Sequence, residues 1–173
     1  MKSIIETERL YLREINLNDA TAMYHLDSSA LVHKYLGNNP VKSINEIYTA
    51  IKFIQQQYIQ HGIARWAVIE KTSNNFIGWA GLKYITEPIN NKVHYYDIGY
   101  RLHESYWGKG YATEATKALI NYGFSQMKLT SLFAITDCNN DASKNVLLKC
   151  GLNITDTFLL DEEAHYWFEI HQP

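Results

Sequence analysis

The stretch "YRLHESYWGKGYATEA", residues 100–115, places a glycine on each side of a lysine, between a strand pattern and a helix pattern. The residues before it have the composition of a half-buried strand, and from Thr113 onward apolar residues recur at helical spacing. The segment therefore predicts a strand, a short glycine-bearing turn and the N-terminus of a helix.

A turn of this kind is suited to binding an anion. The first N–H groups of a helix have no partner within it, and the positive end of the helix dipole lies at the same place. Gly108 and Gly110 let the backbone approach a ligand closely, and Lys109 adds charge. The plain alternative is that the glycines only make a turn. Since neither the P-loop pattern nor the three-glycine dinucleotide pattern is present, a different phosphate-bearing ligand is implied.

Upstream of this stretch, the chain predicts strands and helices in a mixed order. Three runs have strand composition and predict an antiparallel meander that ends in the opening stretch: "ARWAVIE", "FIGWAGLKYI" and "VHYYDIGYRL". Before them, the strand "RLYLREI" leads into a short helical pattern after "NLNDA". A longer helix is predicted from a capping box of Ser43 and Glu46 to a stop near Gly62.

Downstream, the pattern continues in the same mixed manner. A helix from Thr113 is followed by the strand "SLFAITD", by the helix "DASKNVLLKCGL" that ends at Gly151, and by the closing strands "TDTFLL" and "HYWFEI". No repeat or Pro/Gly/Ser-rich linker interrupts the order β-α-α-β-β-β-α-β-α-β-β. We therefore expect one α/β domain over residues 1–173.

Composition excludes several classes of function. A net charge of −2 lacks the basic excess that nucleic-acid binding requires. The N-terminus carries charges where a signal peptide needs an apolar run, and no later apolar segment approaches membrane-spanning length. We expect a cytoplasmic protein with no membrane partner. Cys138 and Cys150 have neither metal-ligand nor redox spacing, so no chemistry is assigned to them.

Three segments resemble one known family: "TERLYLREINLNDA", "YDIGYRLHESYWGKGYATEA" and "NNDASKNVLLKCGL". With the element order, they resemble the GNAT superfamily of acetyl-CoA-dependent N-acetyltransferases, most closely its branch of ribosomal-protein N-terminal acetyltransferases (RimJ/RimL-like). The resemblance spans nearly the whole chain. It implies the GNAT α/β (α+β) fold, a central mixed and mostly antiparallel sheet of about seven strands flanked by about four helices.

The resemblance also implies where acetyl-CoA binds. The family's pyrophosphate pattern, Gln or Arg, two residues, Gly, one residue, Gly or Ala, places Gly110 and Ala112 in its last two positions, with Trp107 where Gln or Arg is usual. The implied pyrophosphate ligands are main-chain N–H groups of Gly108, Lys109, Gly110, Tyr111, Ala112 and Thr113. The backbone groups of Tyr100, Arg101 and Leu102 would pair with the pantetheine arm as an added strand, and Asn140 would contact it.

Acetyl transfer to an amine needs a base, because an aliphatic amine is mostly protonated at neutral pH. Asp97 takes the place of a glutamate that is frequent in this branch, so the resemblance makes it the first candidate. Strand alternation puts Asp97 and Arg101 on one face, so the alternative is that Asp97 only pairs with Arg101 or a nearby tyrosine hydroxyl. His103 and Glu104 are lower-ranked candidates in the following turn.

The departing thiolate needs a proton donor. Leu147 stands where the superfamily often has a tyrosine, and the branch resembled here uses a serine in an "N-x-A-S" segment, which "NDAS" matches with Asn140 and Ser143. Ser143 is thus the proposed acid. The alternative is that Asn140 or Asp141 caps the helix and Ser143 satisfies local backbone groups.

The acceptor is open between a protein N-terminus, a polyamine or aminoglycoside-like compound, and an amino-acid derivative. Five aromatic residues could line an acceptor cleft, although core packing is the more common role for such side chains: Trp66, Trp79, Tyr35, Tyr84 and Tyr95. We expect direct transfer in a ternary complex, without a metal, in a monomer or homodimer. The alternative function is an acetyl-CoA sensor without transferase activity, which Asp97 and Leu147 permit.

Overall fold

The computed structural model describes residues 5–172 and contains one mixed sheet of eight strands in the order β1-β2-β3-β4-β5-β6-β8-β7. Every neighbouring pair is antiparallel except β5 and β6, which are parallel. The strands are β1 Ile5–Glu6, β2 Leu10–Glu14, β3 Arg65–Glu70, β4 Phe76–Ile85, β5 Tyr95–Leu102, β6 Ser131–Asp137, β7 Asn153–Leu160 and β8 Glu163–His171.

Five α-helices connect these strands. They are α1 Ala20–Asp27, α2 Ala30–His33, α3 Ile44–His61, α4 Tyr111–Ser125 and α5 Asp141–Lys149, and 3₁₀ turns precede α1 and α4 at Leu17–Asp19 and Glu104–Tyr106. Within residues 5–172, none of the helices combines the length and the hydropathy needed to cross a membrane.

The predicted fold class is confirmed, with small differences in the count of elements. The structure adds the two-residue strand β1 and the four-residue helix α2, and α4 begins at Tyr111, two residues before the predicted start. The predicted capping box of α3 is not formed, because the Ser43 hydroxyl donates to the Glu46 carboxylate at 3.0 Å and accepts no helix N–H group. The predicted stop is confirmed, since Gly62 ends α3 in the left-handed conformation.

Helices cover both faces of the sheet because strand residues alternate between two apolar clusters. On one face, Leu119 of α4 and Leu147 of α5 belong to the cluster that contains Trp66. On the other face, α1 and α3 pack against the neighbouring residue Ala67. Each fully buried leucine of this kind stabilises the fold by about 1.5–3 kcal/mol. The fold therefore holds α4 and α5 on one side of β5, and α1 on the other.

The strands β5 and β6 leave a gap in the sheet. Their ladder consists of the pair Asp97 and Phe133 near the start of both strands, and residues 98–102 have no ladder partner in β6. Beyond this pair, β5 and β6 form no further ladder pairs, whereas every residue of β5 is paired with β4. The helices α4 and α5 begin at the end of the sheet where this gap lies.

Candidate active site

The gap exposes backbone hydrogen-bonding groups of β5. The His103 N–H group, directly after β5, donates to the carbonyl of Ile77 in β4 at 2.9 Å. In an antiparallel pair, successive residues of a strand direct their backbone N–H and C=O groups alternately toward the partner strand and away from it. The backbone groups of Tyr100 and Leu102 therefore face the gap, and those of Arg101 face β4. One of these groups is already used, because the Trp107 indole N–H donates to the Leu102 carbonyl at 2.7 Å. The remaining groups can pair with an extended ligand.

The glycine turn stands at the end of this gap, as the sequence predicts. Gly108 and Gly110 have φ values of 72° and 83°, a region that glycine adopts without steric cost. Gly110 is the N-cap of α4, and among residues 5–172 no side chain caps this helix. The N–H groups from Tyr111 to Thr113 are therefore available to an anion.

The N-terminus of α5 lies across the gap from β5 and holds the predicted serine. Asn140 is the N-cap and its side chain accepts from the Ser143 N–H group at 3.1 Å, so the predicted cap is confirmed. The Ser143 hydroxyl lies 2.9 Å from the Tyr100 hydroxyl, which also donates to the Ser143 carbonyl at 3.2 Å. Burial raises the pKa of Tyr100, so the phenol stays protonated at neutral pH.

Sequence reasoning named Tyr100 only for its backbone and missed its hydroxyl. The available signal was strand alternation, which turns Tyr100 toward the same face as α5. Leu147, at the position where a tyrosine is common in the family, is buried in the core. Ser143 and Tyr100 thus bring two hydroxyl groups into contact on this side of the gap.

Asp97 lies on the opposite face of β5 and forms an ion pair with Arg65 of β3. The alternative partners that the sequence suggested, Arg101 or a tyrosine, were wrong. The Arg65 side chain lies over Gly99, where an added Cβ would come within 2.5 Å of the guanidinium, and it also donates to the Asp97 carbonyl at 2.7 Å. Burial raises the pKa of the Asp97 carboxyl above its ordinary value, against the opposing effects of Arg65 and Lys83.

A second ion pair lies further along the same face of β5. Arg101 contacts Asp27 of α1 at 2.6 Å, and the His33 imidazole lies 4.0 Å from the same carboxylate. The His33 side chain is only 9% exposed, and neither ring nitrogen has a hydrogen-bond partner among the described residues. Burial, together with Arg101, lowers the pKa of His33, so its ring is neutral at pH 7. Trp79 packs beside both arginines. Its ring centroid lies 5.7 Å from the guanidinium carbon of Arg65 and 4.9 Å from that of Arg101.

Two further sequence candidates, His103 and Glu104, lie in the turn that follows β5. Glu104 accepts from the Ser29 hydroxyl at 2.8 Å and thereby ties the turn after β5 to α2, whereas the His103 ring accepts from the Ser105 N–H group at 3.3 Å. Of the aromatic candidates, Trp66 and Tyr95 are buried in the core, and Trp79 borders the charged face. Residues 5–172 contain no group of three or more His, Cys, Asp or Glu side chains arranged to hold a metal ion.

Comparison with known proteins identifies the family. The family model described as "Acetyltransferase (GNAT) domain" matches residues 9–153. The chain is 30% identical over 151 residues to the uncharacterized N-acetyltransferase YoaA of Bacillus subtilis, covering 87% of this chain and 83% of that protein. It is 27% identical to the spermidine N(1)-acetyltransferase of Escherichia coli K12, covering 83% and 72%. The protein therefore belongs to the GNAT family of N-acetyltransferases.

Solved structures agree with this assignment. A GNAT-family acetyltransferase from Bacillus anthracis superposes with a TM-score of 0.80 at 25% identity, over 96% of this chain and 97% of that one. A RimL ribosomal L7/L12 α-N-protein acetyltransferase in complex with coenzyme A has a TM-score of 0.82 at 18% identity, over 98% of each chain. At 18% identity, the likeness to the RimL structure shows a shared fold only, which is the predicted GNAT fold.

Proposed function

We propose that this protein transfers the acetyl group of acetyl-CoA to a primary amine by direct attack within a ternary complex. The observation that carries the proposal is the gap between β5 and β6, with a glycine turn and free helix N–H groups at its end. An extended thioester ligand with a pyrophosphate matches both features, because its arm can pair with a strand edge and its phosphates can accept from α4. A solved structure of the same fold is a complex with coenzyme A, which supports acetyl-CoA as the cosubstrate.

In this proposal the pantetheine arm pairs with the backbone of Tyr100 and Leu102, and the pyrophosphate accepts from the N–H groups of residues 108–113. Asn140, at the start of α5, borders the arm from the other side of the gap. The left-handed conformations of Gly108 and Gly110 bring the turn backbone to the ligand without a Cβ between them. The side chain of Arg101 does not belong to this half of the site, since it pairs with Asp27 on the opposite face of β5. We call this face, which carries Asp97 and Arg101, the acceptor face, because we propose that the amine binds there.

Asp97 is the proposed base. Its raised pKa makes it a better proton acceptor than an ordinary aspartate, and Arg65 holds its carboxylate in place. The amine loses a proton to Asp97, directly or through water, as its nitrogen bonds to the acetyl carbon. The carbon–sulfur bond then breaks, and a backbone N–H group facing the gap is suited to stabilise the oxyanion that forms between these steps.

Ser143 is the proposed proton donor to the departing thiolate, and Tyr100 supports it. Because their hydroxyl groups are 2.9 Å apart, a proton that leaves Ser143 can be replaced from Tyr100. This pair takes the place of the tyrosine that Leu147 cannot supply. The proton that Asp97 takes from the amine returns to solvent, and solvent reprotonates the Ser143 and Tyr100 pair after the thiol has left, so the transfer needs no covalent enzyme intermediate.

The charged face of β5 favours an acceptor with a single amine over a polyamine. The charges of Asp97 and Asp27 are each already balanced by a paired arginine, so this face offers no uncompensated carboxylate to bind the second ammonium group of a polyamine. An α-amine also ionises with a pKa of roughly 8 and is therefore easier to deprotonate than a lysine-like amine. We propose a protein N-terminal α-amine, or a small molecule with one amine, as the acceptor. A cytoplasmic location and a monomeric or homodimeric state stay predictions.

The test is release of coenzyme A thiol from acetyl-CoA in the presence of a panel of amines. The panel contains peptides with free N-termini, the same peptides with blocked N-termini, spermidine, an aminoglycoside and free amino acids. We expect acceleration by at least one free amine, and none by the matched blocked peptide. If acetyl-CoA binds but no amine accelerates thiol release, the sensor function replaces the transferase function.

A further inference from the structure

The arginine of the opening "TERL" segment lies across the start of α4, about a hundred positions away in sequence. The Arg9 Nε atom contacts the Glu114 carboxylate at 2.6 Å, and the Arg9 backbone N–H group donates to the other carboxylate oxygen at 2.9 Å. A third contact runs from Arg9 Nη1 to the Lys109 carbonyl at 2.9 Å. The side chain of Arg9, the residue that precedes β2, thus contacts both the glycine turn and the first turn of α4.

The Lys109 contact fixes the direction of an N–H group in the turn. A trans peptide is planar, and its C=O and N–H groups point in opposite directions. The Lys109 carbonyl and the Gly110 N–H belong to one such peptide, and the described residues contain no cis peptide. Because Arg9 holds that carbonyl, the Gly110 N–H group points away from Arg9.

The guanidinium is held in position by its surroundings. It lies over the Tyr111 ring at 4.4 Å, and the Tyr111 hydroxyl donates to the Glu70 carboxylate at the end of β3. Arg9 Nη2 also lies 3.4 Å from the point where a Cβ on Gly110 would be. These contacts restrict the arginine rotamer, although 40% of its side chain is exposed.

The contact with Arg9 neutralises the negative charge of Glu114 next to the proposed pyrophosphate site. A carboxylate in the first turn stabilises the helix dipole, but an unpaired carboxylate there would repel a bound pyrophosphate. Both Glu114 oxygens are taken, since Thr7 donates to one at 2.6 Å and Arg9 pairs with the other. Burial acts to raise the pKa of Glu114, but the hydrogen bonds from Thr7 and Arg9 outweigh it and lower the pKa, so the carboxylate stays ionised and paired.

We propose that Arg9 is a positioning residue for the coenzyme pyrophosphate. It orients the Gly110 N–H group toward the phosphates and cancels the charge of Glu114 beside them. This inference rests on the proposed function, because it takes the turn to be the pyrophosphate site. It assigns a role to the "TERL" segment that the catalytic residues do not explain.

The test compares two acetyl donors in the variant Arg9→Met. Acetyl-CoA contains the pyrophosphate, whereas S-acetylpantetheine carries the same thioester without it. We expect the KM for acetyl-CoA to rise by about tenfold or more, because charge-assisted contacts near the phosphates are lost. We expect kcat with acetyl-CoA, and kcat/KM with S-acetylpantetheine, to stay within about twofold of the unmodified protein.

Two further variants separate positioning from simple loss of structure. In Arg9→Met with Glu114→Gln, part of the acetyl-CoA affinity should return, because the unpaired carboxylate is removed. Arg9→Lys keeps the charge and loses the fork of donors, so its KM should lie between those of the unmodified protein and Arg9→Met. Lys52→Met removes an exposed cation on α3 and serves as the control, with no change expected.

The inference is overturned if Arg9→Met weakens both donors equally, or if kcat falls while the KM for acetyl-CoA is unchanged. It is also overturned if Arg9→Met and Arg9→Lys both keep the original KM. Failure of the proposed function itself has a separate signature in the unmodified protein, which would then either not bind acetyl-CoA or bind it without any acceleration of thiol release by an amine, so that no KM could be measured.

Discussion

The glycine turn and the acceptor face of β5 differ in the kind of group that each presents. At the glycine turn, the groups that we propose bind the coenzyme are backbone N–H groups, and Arg9 holds that backbone through the Lys109 carbonyl. On the acceptor face of β5, the groups that face a ligand are side chains, and Asp97 is held by its pairing with Arg65.

This difference separates the effects that substitutions should have. Backbone donors tolerate changes of side chain as long as φ and the peptide orientation are kept. Paired charges depend on particular residues, because removal of one partner leaves the other buried and uncompensated. Changes at the turn should therefore act on coenzyme affinity, and changes on the acceptor face should act on turnover.

The largest effect should come from Gly110→Val. Gly110 has a φ of 83°, and a side chain there would also meet Arg9, so the turn has to change shape. We expect the dissociation constant for acetyl-CoA to rise by about 100-fold, measured by calorimetry.

The matched control is Gly62→Val. Gly62 ends α3 with a φ of 71° and has open space around it, so it carries a similar backbone cost of about 1–2 kcal/mol far from the turn. Acetyl-CoA affinity should stay unchanged in this control. Equal weakening of coenzyme binding in both variants would mean that Gly110 acts through stability alone.

The next effect should come from Asp97→Asn, which removes the proposed base. We expect kcat to fall by about 100-fold, while the dissociation constant for acetyl-CoA changes by less than about twofold. The pKa of Asp97 is raised, so in the unmodified protein kcat should increase with pH as this carboxyl loses its proton.

The control for Asp97→Asn is Asp19→Asn, which breaks the buried pair of Asp19 with Arg13 at 2.6 Å. Its thermal stability should fall as in Asp97→Asn, since both variants leave a buried arginine unpaired. Its kcat should be unchanged. If coenzyme affinity in Asp97→Asn falls as much as kcat does, the role of Asp97 is structural.

A smaller effect is expected on the other side of the gap. Ser143→Ala and Tyr100→Phe should each lower kcat by about tenfold, because each removes one hydroxyl of the pair. The double variant should be little worse than either single one, since groups that act as a unit are not additive. The cap of α5 should survive, because Asn140 accepts from the backbone N–H group of Ser143. Fully additive losses would argue against a shared proton path.

The smallest effect concerns His33, beside the Asp27 and Arg101 pair. Its folded-state pKa is lowered, so the unfolded chain binds a proton first as the pH falls below about 6.5. Stability should therefore decline with falling pH in this window, and His33→Gln should reduce that decline, as measured by urea unfolding at several pH values. His25→Gln, an exposed change on α1, is the control. An unchanged slope in His33→Gln would contradict the burial of a neutral ring.

The local structure of the proposed coenzyme site was largely predictable, because its signals are local in sequence. The glycine turn, the start of α5 and the pairing of Asn140 with Ser143 depend on residues within a few positions of each other. The side-chain contacts of the proposed acceptor site were harder to predict from the sequence. Arg65 reaches Asp97 across 32 positions, and no periodicity indicates that the side chain crosses Gly99 to do so.

The same limit applies to the contacts that hold the turn. Arg9 and Glu114 are 105 positions apart, and the strand pattern in "RLYLREI" gives no sign that Arg9, the residue before β2, contacts α4. The capping box of α3 failed for a different reason, because Ser43 had a second local partner in the Glu46 carboxylate. Local rules therefore predict which backbone turns form, and long-range side-chain pairs need the structure.

The central claim is that the gap and the glycine turn bind acetyl-CoA. Calorimetric titration of the unmodified protein with acetyl-CoA tests it most directly, with S-acetylpantetheine as the donor that lacks the pyrophosphate. We predict a single site with a dissociation constant on the order of micromolar for acetyl-CoA and weaker binding of S-acetylpantetheine. Absence of heat with acetyl-CoA in a folded sample, or equal affinity for the two donors, would contradict the placement of the pyrophosphate at residues 108–113.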